Sequence, residues 1–293
     1  MGTGEKMPLI DPKETIAVLK KYNFIFNKRF GQNFLIDEHV LRKILKAAEL
    51  TKDDAVLEIG PGIGTMTQAL SREAGRVFAV EIDETLIPIL EDTLSGCDNV
   101  TIINEDALKL DIAGLAAREC PGKKLKVVAN LPYYVTTPII MRLLEEHLPV
   151  ESITVMVQKE VAYRMQAGPG TKDYGALSLA VQYYAEPYLA ANVPMNCFMP
   201  RPNVDSAVIR LRVLPEPSVQ VRDPEMLFRL IRAAFSQRRK TLSNCLRNST
   251  ELSFSREEID TAIRAIGKPD SIRGEALTLQ EFAALANAFM EEI

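Results

Sequence analysis

Five short apolar runs, Ala55–Ile59, Arg76–Val80, Val100–Ile103, Leu125–Ala129 and Ser152–Val157, recur along the first half of the chain, separated by segments of helical periodicity or by turn residues. Strands that alternate with helices pair in parallel through right-handed crossovers, so the predicted class is α/β with a mostly parallel sheet. Three further strand-like runs, Leu177–Tyr184, Pro187–Val193 and Ala207–Val213, lie close together around Pro and Asn turns and predict an antiparallel edge on that sheet. Ahead of them, Val40, Leu41, Ile44, Leu45 and Ala48 follow Asp37 at helical spacing, an amphipathic helix behind a good N-cap. Pro215-Glu216-Pro217 can neither continue a strand nor open an ordinary helix and reads as a linker. Beyond it only helices are expected, over Pro224–Phe235, Lys240–Leu246, Arg256–Ile266 and Leu279–Glu291. The predicted organisation is an N-terminal extension and contact motif over 1–36, an α/β domain over 37–214 and a small all-helical domain over 218–293. Residues 1–20 are expected to be mobile.

Charge narrows the partners. The net charge of −4 excludes a uniformly basic nucleic-acid binder, but its distribution is uneven. Residues 1–45 carry 8 basic and 5 acidic side chains, residues 46–206 carry 14 and 22, and residues 207–293 carry 13 and 12. The middle of the chain is therefore acidic and its flanks are not. Arg222 to Arg247 holds seven basic residues against Asp223 and Glu225, a candidate phosphate-facing patch that a solvated helix face would equally explain. Cys97, Cys120, Cys197 and Cys245 are far apart without a CxxC pair, which argues against a disulfide framework and a zinc site. The two histidines, His39 and His147, fall in helix-like segments, so no metal is expected. No apolar run reaches the length of a membrane span, and no apolar segment follows the charged N-terminus as a secretory signal would require. A cytoplasmic location is expected.

The run Val56-Leu57-Glu58-Ile59-Gly60-Pro61-Gly62-Ile63-Gly64 is a buried strand breaking into a glycine turn, with a helix opening at Thr65. Gly60 and Gly62 would let a ligand approach backbone amides. The spacing is G-x-G-x-G rather than the G-x-G-x-x-G that seats a dinucleotide, and taken alone it is also what a purely structural turn would give. Glu81 follows the second strand, at the carboxyl edge where open α/β sheets bind ligands, and its carboxylate can accept both hydroxyls of a ribose. Asp106 follows the third strand, placed to accept a hydrogen bond from an adenine amino group. Each acid by itself could be a helix cap. Three consecutive strand ends that supply a turn, a ribose acceptor and a base acceptor together describe an adenosine-containing cofactor.

The fourth strand runs into Asn130-Leu131-Pro132-Tyr133. Alone this tetrapeptide reads as an Asn-initiated turn with a packed tyrosine, but at this strand end it resembles the Asn/Asp-Pro-Pro-Tyr signature of amino-methyltransferases, in the form seen among adenosine dimethyltransferases acting on rRNA. Three other segments carry the same resemblance: Arg29–Leu35, Phe198–Ser206 and Ala234–Leu242. Over nearly all of residues 25–285 the chain is similar to the bacterial rRNA adenine dimethyltransferase family. The resemblance implies a Rossmann-like S-adenosylmethionine-dependent methyltransferase with a helical C-terminal RNA-binding domain. It further implies that Asn33 and Leu35, with Gly60, Gly62, Glu81, Asp106 and Asn130, contact S-adenosylmethionine. Asn130 and the Leu131 carbonyl would accept the hydrogens of the target amino group, Pro132 would fix the turn, and Tyr133 and Phe198 would sandwich an extruded adenine. Arg238, Arg239 and Lys240 would contact RNA phosphates.

Within the family, the Gly31-containing motif and Gln237-Arg238-Arg239-Lys240 favour the members that dimethylate two adjacent adenosines in a hairpin loop near the 3′ end of 16S rRNA. The implied partner is that RNA within a small ribosomal subunit or its precursor, met by a monomer. The nearest rival is an erythromycin-resistance-type 23S rRNA methyltransferase. An NAD-dependent oxidoreductase would own the glycine turn and Glu81 but leave Asn130–Tyr133 and Phe198–Ser206 without a task. An RNA-binding assembly factor that has lost catalysis would not retain the full set of site residues.

Overall fold

The computed structural model describes residues 9–27 and 30–290. Its chain divides into two compact units, one comprising the residues up to Ala162 with Tyr188–Val213, the other Tyr163–Pro187 with the chain from Leu214 onward.

The first unit opens with a helix, α1 (Pro12–Lys21), where mobility was expected. The Asp11 carboxylate accepts the Lys13 N–H at 2.7 Å, Pro12 presets the first turn, and Lys20 and Lys21 oppose the negative end of the dipole. Ten residues make a marginal helix in isolation. This one is held because Leu19 packs against Phe34, Ile63, Leu86 and Ile89, all distant in sequence. Residues 1–8 of the expected mobile segment, and Arg29 of the N-terminal motif, lie outside the described residues.

Strand β1 (Phe34–Leu35) is followed by α2 (Glu38–Ala48), capped as expected by Asp37, whose carboxylate accepts the Val40 N–H at 2.9 Å. The alternation predicted from the apolar runs then appears as β2 (Ala55–Ile59), α3 (Thr65–Glu73), β3 (Arg76–Glu81), α4 (Ile87–Thr93), β4 (Val100–Asn104), α5 (Ile112–Glu119), β5 (Leu125–Asn130), α6 (Thr136–Glu145) and β6 (Val150–Gln158). These five strands pair in parallel in the order β4-β3-β2-β5-β6. One sheet face carries Val56, Val77, Val128 and Met156 into a core with Leu41, Ile44 and Leu70 of α2 and α3.

After α7 (Lys159–Gln166) the chain forms a second helix, α8 (Ala176–Tyr184), where a strand was expected over Leu177–Tyr184. The aromatic and β-branched side chains suggested a strand, yet Leu179 and Tyr183 recur at i and i+4 and are buried on one helical face. The Ser178 hydroxyl accepts the Gly175 N–H at 3.1 Å and donates to the Arg164 carbonyl at 2.5 Å, contacts that a strand would not offer. Two of the three expected edge strands remain, β7 (Ala185–Val193) and, after the short β8 (Phe198–Met199), β9 (Ser206–Val213). β9 runs antiparallel to β6, and the sheet closes in the order β6-β9-β7.

The second unit adds α9 (Pro224–Phe235), α10 (Leu242–Arg247), α11 (Arg256–Ala265) and α12 (Leu279–Ala288). α10 starts two residues later than predicted because Thr241, not a residue before Lys240, supplies the cap. Leu227, Leu230, Ile259, Phe282 and Leu285 form its core with Tyr174, Leu179 and Tyr183. The buried Tyr174 hydroxyl donates to the Leu277 carbonyl at 2.8 Å.

Candidate active site

After β4 the chain returns to the other side of β2 to form β5, so strand order reverses between β2 and β5. In an open α/β sheet a crevice forms at the carboxyl ends beside such a reversal. Here it is a cavity of about 1110 Å³, counting its open mouth. Gly60, Gly62, Glu81 and Asp106 line one side, and Asn130, Leu131, Pro132 and Tyr133 the other. Asn33, Leu35 and Phe198 reach the same cavity because β1 and β8 pair antiparallel, with Phe34 opposite Met199 and Leu35 opposite Phe198. The Ile36 N–H extends that pairing, donating to the Cys197 carbonyl at 2.9 Å.

Glu81, the last residue of β3, is buried, and its two oxygens already accept backbone N–H groups, from Gly62 at 3.2 Å and Asp83 at 2.9 Å. The carboxylate thus organises the glycine turn as well as facing the cavity. Each oxygen keeps a further lone pair for a ligand hydroxyl. Gly62 itself has φ +61°, and a Cβ there would lie 2.8 and 2.9 Å from atoms of the Phe34 ring. That ring is held by Phe24 and Phe26, with centroids at 6.1 and 5.6 Å, so it has little room to retreat.

Glu58 lines the cavity too, and the sequence reading gave it no role. Its side chain is 0% exposed and neither carboxyl oxygen makes a well-formed hydrogen bond among the described residues, the Thr67 hydroxyl being the one group that favours its charged form. A charged residue between Leu57 and Ile59, in a strand otherwise apolar throughout, was the available signal. Burial raises Glu58 to about 8, with Thr67 tempering the rise and the Glu81 charge adding to it. Burial likewise raises Glu81 to about 7, against the opposing backbone N–H groups of Asp83 and Gly62. Both carboxyls therefore bind protons more tightly folded than unfolded. The stability this confers is complete below the ordinary carboxylate value of 4.5 and is lost as pH rises through about 7 for Glu81 and about 8 for Glu58. The ligand-free protein should melt at progressively lower temperature from about pH 5 to about pH 8.5, and Glu58→Gln should flatten much of that slope. Thermal melts across the range check this, and an unchanged slope in the variant would exclude Glu58 as its source.

On the opposite wall the Asn130 Nδ2 donates to the Asn33 carbonyl at 2.9 Å, which leaves the carboxamide oxygen as its acceptor. Asn33 is held in turn by its own Nδ2, which donates to the Gly31 carbonyl at 2.9 Å. The Tyr133 and Ser206 hydroxyls share a hydrogen bond of 2.8 Å that fixes the tyrosine ring. Burial raises the phenol above its ordinary value, so Tyr133 is a neutral wall rather than an ionisable one.

In the second unit, Arg238, Arg239 and Lys240 are exposed in the turn after α9. They are not equivalent. Arg238 donates to the Lys172 carbonyl at 2.6 Å and pairs with Glu275 at 3.3 Å, while Arg232 of the same basic run is paired with Glu251 at 2.6 Å. Arg232 and Arg238, two of the seven basic residues in that run, are thus paired with a carboxylate. Among the described residues no group of three or more His, Cys, Asp or Glu is placed to hold a metal ion, and no helix is long and apolar enough to cross a membrane.

Comparison with known proteins places these features in a family. The chain is 66% identical, over 97% of its length and 98% of the relative's, to ribosomal RNA small subunit methyltransferase A of Lachnoclostridium phytofermentans. It is 50% identical, over 93% of its length and 94% of the relative's, to the protein of the same name from Clostridioides difficile. Among solved structures it is similar to a dimethyladenosine transferase from Plasmodium falciparum, with TM-score 0.71 and 25% identity over 86% of this chain and 95% of that one. It is also similar to the 23S rRNA methyltransferase ErmE, with TM-score 0.67 and 27% identity over 88% of this chain and 100% of that one. Residues 23–285 match the family model for ribosomal RNA adenine dimethylases, and the chain belongs to that family.

Proposed function

We propose that this chain transfers methyl groups from S-adenosylmethionine to the exocyclic amino groups of two adjacent adenosines, in the hairpin loop near the 3′ end of 16S rRNA, during small-subunit biogenesis in the cytoplasm. The observation that carries the reading is the meeting in one cavity of Glu81 and Asp106 with Asn130 and Tyr133, in a chain 66% identical to a small-subunit methyltransferase. The donor set fits an adenosine moiety: Glu81 keeps lone pairs for two ribose hydroxyls. Asp106 uses Oδ1 to accept the Leu108 N–H at 2.9 Å and retains Oδ2 for an adenine amino group. S-adenosylmethionine, when bound, supplies an electrophilic methyl group.

The protein's task is then to present a poor nucleophile. Adenine's amino nitrogen shares its lone pair with the ring, so activation must come from orientation and hydrogen bonding. The Asn130 oxygen and the Leu131 carbonyl accept the amino hydrogens and favour a pyramidal nitrogen with its lone pair directed outward. Tyr133 and Phe198 hold the extruded base by its faces, which needs no hydrogen-bond match and so tolerates a base already monomethylated. No strong base is required in the wall, because the proton leaves after attack. Arg239 and Lys240 contact RNA phosphates, with Arg238 contributing more to the fold of its own turn.

Incubation with labelled S-adenosylmethionine and small subunits from a strain lacking the modification should place label on the two adenosines of the 3′-end loop. Absence of label there would overturn the assignment, and label on protein-free 23S rRNA in a parallel incubation would favour the erythromycin-resistance-type activity.

A further inference from the structure

Arg142 lies within α6, the helix that follows Asn130–Tyr133, and its side chain is only 16% exposed. Its guanidinium donates from Nη1 to the Ala107 carbonyl at 2.5 Å and from Nη2 to the Leu110 carbonyl at 2.9 Å, while Nε donates to the Glu146 carboxylate at 3.0 and 3.1 Å. A planar fork of donors can do this at once, where a lysine ammonium could not span the same three acceptors. The pairing with Glu146 is one turn along the same helix and half exposed, so by itself it would contribute little. The two carbonyls are different. Both lie just after Asp106, in the turn that it opens.

That turn is internally bonded: the Asp106 carbonyl accepts the N–H groups of Lys109 at 2.8 Å and Leu110 at 3.0 Å. Its near side is tied to β3, since the Glu81 carbonyl accepts from the Glu105 N–H at 3.1 Å and the Asn104 Nδ2 at 2.8 Å. Arg142 ties the far side to the helix that grows out of the Asn130–Tyr133 segment, across 35 positions of sequence. We propose that Arg142 is a positioning residue for recognition of the cofactor's adenine, holding the Asp106 carboxylate in register with the Asn130–Tyr133 wall. The inference rests on the reading of Asp106 as the acceptor for the adenine amino group. Two walls of one cavity are thereby set at a fixed separation by a residue that touches neither ligand.

A double-mutant cycle tests it, with S-adenosylmethionine affinity measured by calorimetry on the full chain. Arg142→Met and Asp106→Ala should each weaken binding about tenfold, and the double variant should bind no worse than Asp106→Ala alone. Arg142→Lys should recover part of the loss, and kcat at saturating cofactor should change less than about threefold in either Arg142 variant. The analogue carrying hypoxanthine in place of adenine lacks the amino group, so the wild-type preference for the adenine form should narrow in Arg142→Met. A purely structural role would weaken both forms alike. Losses that multiply in full in the double variant would overturn the inference while leaving the role of Asp106 intact. Wild-type affinity in Asp106→Ala would overturn the reading of Asp106, and the inference with it. If Arg142→Met melts before assay temperature, the same cycle is run with Arg142→Lys.

Discussion

Replacing Asn130 with alanine is expected to lower kcat for methyl transfer by about a thousandfold, while affinity for S-adenosylmethionine changes less than about tenfold. The asymmetry follows from where the carboxamide points. Its nitrogen is engaged with the Asn33 carbonyl, so the oxygen is the group left for a target amine, and its loss removes an interaction that matters most as the nitrogen pyramidalises. Asn130→Asp keeps an oxygen toward the amine but sets a carboxylate against the Asn33 carbonyl, so it should not restore the wild-type rate. Single-turnover transfer from labelled cofactor separates chemistry from binding, and an alanine variant that transfers at the wild-type rate would remove Asn130 from the mechanism.

The second large effect is expected at Glu81. Glu81→Ala should weaken S-adenosylmethionine binding by about a hundredfold or more, because it removes the proposed partner of the ribose hydroxyls and also strands the N–H groups of Gly62 and Asp83. Glutamine should be almost as damaging. Its single carbonyl oxygen can satisfy one of those two N–H groups, and its amide would face the other donor to donor. Calorimetric titration of both variants checks this. A Glu81→Gln protein that binds like wild type would show that the turn needs no carboxylate.

The parallel core was legible because strands buried on both faces are dominated by apolar residues, and Ala55–Ile59 and Leu125–Ala129 announce themselves that way despite one charged residue each, Glu58 and Lys126. Residues 177–184 were not, because aromatic and β-branched side chains fill helices and strands alike, and only the Ser178 contacts decide between them. α1 was missed for a different reason: the residues that stabilise it, from Phe34 to Ile89, are remote in sequence. The residues at strand ends that line the cavity were readable from the ends of the apolar runs, with the family resemblance supplying their expected roles. Glu58 offered only the signal of a charge within an apolar strand, and Arg142 none, since it is defined by carbonyl groups that carry no sequence signature.

The segment Tyr163–Pro187 belongs to the second unit although Tyr188–Val213, which follows it, belongs to the first. The backbone therefore passes between the units three times, and no single scission yields two self-sufficient pieces. Cleavage within Pro215-Glu216-Pro217 would strip Tyr174, Leu179 and Tyr183 of the neighbours that bury them and leave the C-terminal helices with an unfilled interior. A truncation at that one boundary would remove most of the helical unit but leave part of its core, Tyr174, Leu179 and Tyr183, on the remaining piece. A chimaera that is to keep that core intact must therefore be joined at more than one position of the chain.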